Sequence, residues 1–231
     1  MKAAVSLWSA DLLEVGAALD QLTGVADAFH VDVMDGHFSP DLLFGPDFVR
    51  AVRKRTRGVV DVHLIVSEAD RWVNPFAEAG ADVLTVYPQS CPDLWGTLEE
   101  IERLGVSPGV SVDLGYPLER VRDAVLGLAD RVVIMGTETG VKGVGLEPEA
   151  LERVREVVRW RGIGGSPEIY VNGGIRRRTV PEIARVGADG VVPGSLVFGS
   201  ESWEEAVHWV QDQEDQIVEK ALLLKRHSIL R

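Results

Sequence analysis

Ala79-Gly80-Ala81-Asp82-Val83-Leu84-Thr85-Val86 is the stretch that decides how this chain folds. An amphipathic pattern stops at a glycine, and an apolar, β-branched run begins at once. Glycine at such a junction takes the left-handed conformation that ends a helix. Val186-Gly187-Ala188-Asp189 repeats the junction late in the chain, and Gly24 and Gly105 follow other helical patterns. Outward from these points, valine-, isoleucine- and leucine-rich runs predict strands at 3–6, 28–33, 59–65, 83–86, 107–112, 131–135, 168–172 and 190–193. Helical patterns fall between them near 11–22, 46–53, 71–79, 95–104, 118–125, 147–161 and 179–186, with a last helix from about 203 to 224. Apolar strands alternating with helices imply parallel strands buried on both faces. Eight such units in 231 residues predict a closed (β/α)8 TIM barrel rather than an open doubly wound sheet.

With 45% hydrophobic residues and no linker or low-complexity segment, residues 1–231 are expected to form a single barrel domain. The formal charge is −12 and no basic face is visible, so nucleic acid is not an expected partner. The basic runs Arg176-Arg177-Arg178, 50–57 and the last few residues read as solvated surface, with a side chain of the first reaching an anionic substrate as the alternative. Cys91 is the sole cysteine, so no intrachain disulfide can form. Asp11 and Glu14 interrupt any signal-peptide core, and no apolar run approaches the ~20 residues of a membrane span. A cytoplasmic protein with no membrane partner is therefore expected. Trp203, Ala206, Val207, Trp209, Val210 and Ile217 recur at helical spacing, and the apolar 221–231 prolongs them. This extended C-terminal helix and tail, from about 203, suits either a subunit interface or a return onto its own barrel.

Strand ends on one face of a barrel converge, so residues distant in sequence can meet there. His30-Val31-Asp32-Val33-Met34-Asp35-Gly36 ends the second strand, and Asp61-Val62-His63-Leu64 lies near the end of the third. His30 and Asp32 are two apart and share a face. With His63 they form a site suited to a divalent metal, zinc first, with iron(II) or manganese as alternatives. Such an ion polarises a ketone and stabilises an enediolate, and Asp32 can serve as both ligand and base. Taken singly, each histidine also fits a hydrogen-bonded structural role, and the aspartate a turn cap. His37 lies in the loop after the second strand, within reach of the same pocket; His208 and His227 read as surface residues.

Three glycine turns follow late strands: Gly140-x-Lys142-Gly143-x-Gly145, Gly173-Gly174 and Gly194-Ser195. Glycine lets backbone N–H groups approach a phosphate closely, Ser195 adds a hydroxyl, and Lys142 offers a point charge. The glycine-rich 162–167 falls where a helix returns to a strand, at the opposite end of the barrel, and carries little functional weight.

Ser6-Leu7-Trp8-Ser9-Ala10-Asp11, the His30 to Phe38 segment, Gly45-Pro46, Asp61-x-His63-Leu64 and Tyr170-Val171-Asn172-Gly173-Gly174-Ile175 together resemble the ribulose-phosphate 3-epimerase family over nearly the whole chain. The resemblance implies a ribulose-phosphate-binding TIM barrel acting on a sugar phosphate and forming homo-oligomers. It implies metal ligands at His30, Asp32 and His63, with Asp32 also transferring protons. It implies substrate contacts from Ser6, Met34 and the glycine loops through Gly140, Gly143, Gly173, Gly174, Gly194 and Ser195. A relative acting on allulose 6-phosphate is similar too, so substrate length stays open.

The departures cluster at the site. Asn172 stands where the family's second catalytic aspartate and fourth ligand is expected. Ile65 replaces a pocket methionine, Tyr87 and Gln89 replace histidine and glutamate, Glu138 and Thr139 replace Asn-Pro, and Asp41 replaces an asparagine. An amide transfers no proton near neutral pH, so an epimerase would draw its second proton from Glu138, Asp35, Tyr87 or a water at the site. Epimerisation at carbon three of a ketose phosphate, through an enediolate with Asp32 as base, is the reading adopted. The alternatives are one-base isomerase or lyase chemistry through the same intermediate, and a sugar-phosphate-binding paralogue without catalysis.

Overall fold

The computed structural model describes residues 1–162 and 165–213. Its strands are β1 (Lys2–Ser6), β2 (Ala28–Asp35), β3 (Leu42–Leu43), β4 (Val59–Ile65), β5 (Val83–Val86), β6 (Ser107–Val112), β7 (Arg131–Met135), β8 (Glu168–Asn172) and β9 (Gly190–Val192). Apart from β3 they are parallel neighbours in chain order, and β1 pairs with both β2 and β9, which closes an eight-stranded barrel. The helices are α1 (Val15–Leu22), α2 (Pro46–Arg55), α3 (Asp70–Ala79), α4 (Leu94–Arg103), α5 (Arg122–Gly127), α6 (Pro148–Arg161), α7 (Val180–Arg185), α8 (Ser195–Phe198) and α9 (Trp203–Gln211). Among the described residues no helix is long and apolar enough to cross a membrane.

Side-chain alternation explains both the closure and the site. Along β2, Phe29, Val31 and Val33 pack outward with the helices, while Ala28 and Met34 join an interior cluster. On β4, Val60, Val62 and Leu64 face outward and Ile65 inward. Both faces are thus covered, as parallel strands require. The glycine junctions behave as their sequence requires: Gly80 ends α3 at φ +100° and Gly187 follows α7 at φ +97°. A Cβ at Gly80 would fall 2.5 Å from Arg53 Cγ, so space and conformation both call for glycine there.

Several expectations are corrected. β2 extends to Asp35 and is prolonged by antiparallel pairing with β3, which the sequence reading lacked. Two residues are too short to show a period of two. The 118–125 helix is a 3-10 turn, Leu118–Val121, followed by α5. The four-residue α8 was also unforeseen. Residues 214–231 lie outside the described residues, and with them Ile217, His227, the far part of the 203–224 helix and the apolar tail; so do 163 and 164 of the 162–167 loop.

Candidate active site

Register brings the predicted cluster together. Asp32 pairs with His63, and His30 with Asp61, across β2 and β4; Ser6 pairs with His30 across β1 and β2. Asn172 ends β8 beside Met135 of β7. His30 Nε2 lies 3.2 Å from Asp32 Oδ1, and His63 Nδ1 lies 3.5 Å from the same oxygen. All three residues are buried, and one ligating atom from each lies within 4.8 Å of the others. Ser6 donates its hydroxyl to Asp32 Oδ2 at 3.0 Å.

The donor set fits a divalent ion. Two imidazole nitrogens and a carboxylate oxygen converge, leaving room for a further ligand, as in catalytic metal sites. Asn172 Nδ2 stands 3.3 Å from His30 Nε2 and 3.5 Å from both Asp32 Oδ1 and His63 Nδ1. Rotating that carboxamide by half a turn would put its oxygen in the same place, a neutral fourth donor. His30 is further organised from behind by a residue whose role the sequence reading missed. Its Nδ1 lies 2.8 Å from Asp61 Oδ2, the outer carboxylate that fixes a ligand imidazole. Asp61 is itself matched by Arg131, whose Nη1 lies 2.8 Å from Oδ2 and whose guanidinium sits 4.1 Å over the Tyr170 ring. That pairing depends on register, which a motif does not display.

Charge within the cluster is strongly coupled. Burial pushes the Asp32 carboxyl up, but His30 and His63 outweigh it and hold it well below the usual carboxylate range. Burial likewise pulls His30 down, yet Asp32 and Asp61 raise it to about 10. His63 is lowered, first by burial and then with help from the charge on His30. The metal-free cluster is therefore protonated at His30 around neutrality, and an incoming ion must displace that proton. Apparent metal affinity should rise with pH toward about 10, with proton release visible as a buffer-dependent heat in titration calorimetry. Heats independent of buffer would contradict this. For stability the sign is opposite: a raised folded value favours the metal-free fold fully below the ordinary 6.5, and that contribution is lost as pH rises through about 10.

Above the cluster opens a cavity of about 280 Å³. Ser6, Asp32, Met34, Asn172, Gly140, Gly143, Gly173, Gly174, Gly194 and Ser195, all singled out in the sequence, line it, while His30 and His63 lie buried beneath. Trp8 and Thr137 also line it and were missed as pocket residues; Arg176, read first as surface, lines it too. The turn after β8 demands glycine: Gly174 has φ +69°, and a Cβ there would fall 2.5 Å from the Leu146 backbone N. Lys142 lines the cavity with its Nζ 2.7 Å from the Trp8 carbonyl and 3.8 Å above the Trp8 ring. Neither partner was visible in sequence, because 134 residues separate them.

Among the proposed second proton donors, geometry separates the choices. Asp35 is committed to a turn, accepting backbone N–H groups from His37, Phe38 and Ser67 at 2.9, 2.9 and 2.7 Å. Burial pushes its carboxyl up, but those bonds win and hold it at about 2, so it carries no proton to give. Tyr87 is fully buried, with its hydroxyl 3.2 Å from Thr139 Oγ1, and burial raises it far above an ordinary phenol. Neither residue lines the cavity, and neither does His37, which turns back to the Asp35 carbonyl at 3.0 Å; Glu138 does line it.

A closed barrel whose strand ends join a His–Asp–His cluster to a glycine-lined cavity defines a (β/α)8 barrel of the metal-competent enzyme class. The family model "Ribulose-phosphate 3 epimerase family" matches residues 2–198. The chain is 37% identical over 210 residues to the ribulose-phosphate 3-epimerase of Bacillus subtilis (strain 168), covering 90% of this chain and 96% of that one. It is 40% identical over 201 residues to the Rhodobacter capsulatus enzyme of the same name, covering 86% of each. Among solved structures, KGPDC from Streptococcus mutans shares the fold at a TM-score of 0.70 and 14% identity, covering 94% of this chain and 98% of that one. The chain belongs to the ribulose-phosphate 3-epimerase family, a family of isomerases.

Proposed function

We propose that this protein epimerises a ketose phosphate at carbon three. The observation that carries the reading is the convergence of Asp32 with His30 and His63 directly beneath a cavity lined by three glycine turns. His30, Asp32 and His63 would hold one divalent ion, with zinc the best match to two imidazoles and a carboxylate. When bound, that ion polarises the substrate ketone and so acidifies the neighbouring C–H. Asp32 takes the carbon-three proton with its carboxylate, which the Ser6 hydroxyl holds in place through Oδ2. The backbone at Gly173, Gly174, Gly194 and Ser195, with that at Gly140 and Gly143, cradles the phosphate. Asn172 orients the oxygens of the enediolate but cannot return a proton, so the opposite face is served by Glu138 or by water entering the open cavity.

Asn172 also supports a second reading, in which Asp32 works alone in an isomerase or lyase that passes through the same enediolate. Both readings take residues 1–231 as one domain of a cytoplasmic homo-oligomer. Removing the metal tests the shared part. Chelator-stripped protein should leave pentulose phosphates unchanged, and added zinc should restore their turnover. Turnover that survives verified metal removal would overturn the assignment.

A further inference from the structure

The two imidazoles of the cluster are held in different ways. His30 is fixed on its far side by Asp61 at 2.8 Å, whereas His63 Nε2 is buried with no hydrogen-bond partner among the described residues. A ligand imidazole is ordinarily oriented by a bond from its second nitrogen. Here packing must do that work. The Tyr87 ring stacks on His63 with centroids 5.2 Å apart and planes 19° from parallel, and Phe38 backs Tyr87 at 4.9 Å. The edge of His30 meets His63 at 5.4 Å. Tyr87 is itself anchored: its hydroxyl lies 3.2 Å from Thr139, Thr139 donates to Asp113, and Asp113 accepts from Gln89 at 2.8 Å. Three positions at which the sequence departs from the family pattern, 87, 89 and 139, thus form one connected chain.

We propose that Tyr87 is a positioning residue for the metal site. Its ring keeps His63 Nδ1 turned toward Asp32 and Asn172, doing by stacking what Asp61 does for His30 by hydrogen bonding. The proposal rests on the reading that the cluster binds a divalent ion. Tyr87→Leu keeps apolar bulk and loses the aromatic face, while Tyr87→Phe keeps the ring and loses the hydroxyl. Zn²⁺ and Co²⁺ affinities should be measured by competition with a chromophoric chelator, together with the Co²⁺ absorption bands. Tyr87→Leu should weaken binding by about 10–100-fold and shift the bands, the usual effect of losing an outer partner, and Tyr87→Phe should restore both. Tyr87→Leu binding as tightly as wild type with unshifted bands, or Tyr87→Phe falling as far as Tyr87→Leu, would overturn the proposal. Should wild type bind neither ion, the metal reading fails by itself. The His63 ring resonances then still decide on Tyr87: one fixed tautomer in wild type and Tyr87→Phe supports it, and averaging in wild type refutes it.

Discussion

Asn172→Asp is expected to raise epimerase turnover by about 10²–10⁴-fold, the usual contribution of a positioned acid or base. The substitution is isosteric, and residue 172 is half-buried at the cavity edge, so it tests chemistry rather than packing. The amide nitrogen already sits 3.3–3.5 Å from His30 Nε2, Asp32 Oδ1 and His63 Nδ1, so a carboxylate would arrive in place. Its charge would be repelled by Asp32 but drawn by a protonated His30 or by the ion, which keeps the fold tolerant of it. The gain should appear in kcat, with KM for the phosphate nearly unchanged, because the glycine turns are untouched. Initial rates on pentulose phosphates decide it. Unchanged epimerisation would turn the account toward one-base chemistry.

Asp32→Asn should have the opposite effect, with turnover falling by about 10⁴-fold or to the detection floor, since the base is lost and the ligand is reduced to a neutral donor. Both the epimerase and the one-base readings require this loss, and a non-catalytic binder does not. Metal affinity should drop in the same variant. His30 loses one of the two carboxylates that raise it, so its imidazole should titrate lower, which NMR can follow. Phosphate binding, measured with inorganic phosphate by calorimetry, should survive. An Asp32→Asn protein with wild-type rates would contradict every catalytic reading given above.

Much of the architecture was legible because buried parallel strands leave apolar runs and helix ends leave glycines, as at Gly80 and Gly187. His30, Asp32 and His63 could be grouped from their positions at strand ends, and the register of β2 with β4 then joined them. The supporting residues were harder to foresee. Asp61 lies two residues before His63 on the same strand, and its bond to His30 exists only once β2 and β4 are aligned. Tyr87 stood out as a departure, yet its stacking on His63 depends on three-dimensional packing that no spacing encodes. The Lys142–Trp8 contact joins loops far apart in the chain, and the short β3 and α8 leave no periodic trace.

The central claim is that Asp32 removes a proton from carbon three of a ketose phosphate. Metal-loaded protein incubated with pentulose and hexulose phosphates in deuterated water, followed by NMR, tests it most directly. The account predicts deuterium at carbon three together with the new epimer, slowly in wild type and faster in Asn172→Asp. Deuterium at carbon three without inversion in either protein would contradict epimerisation, and no exchange with any of these phosphates would contradict the proton abstraction itself.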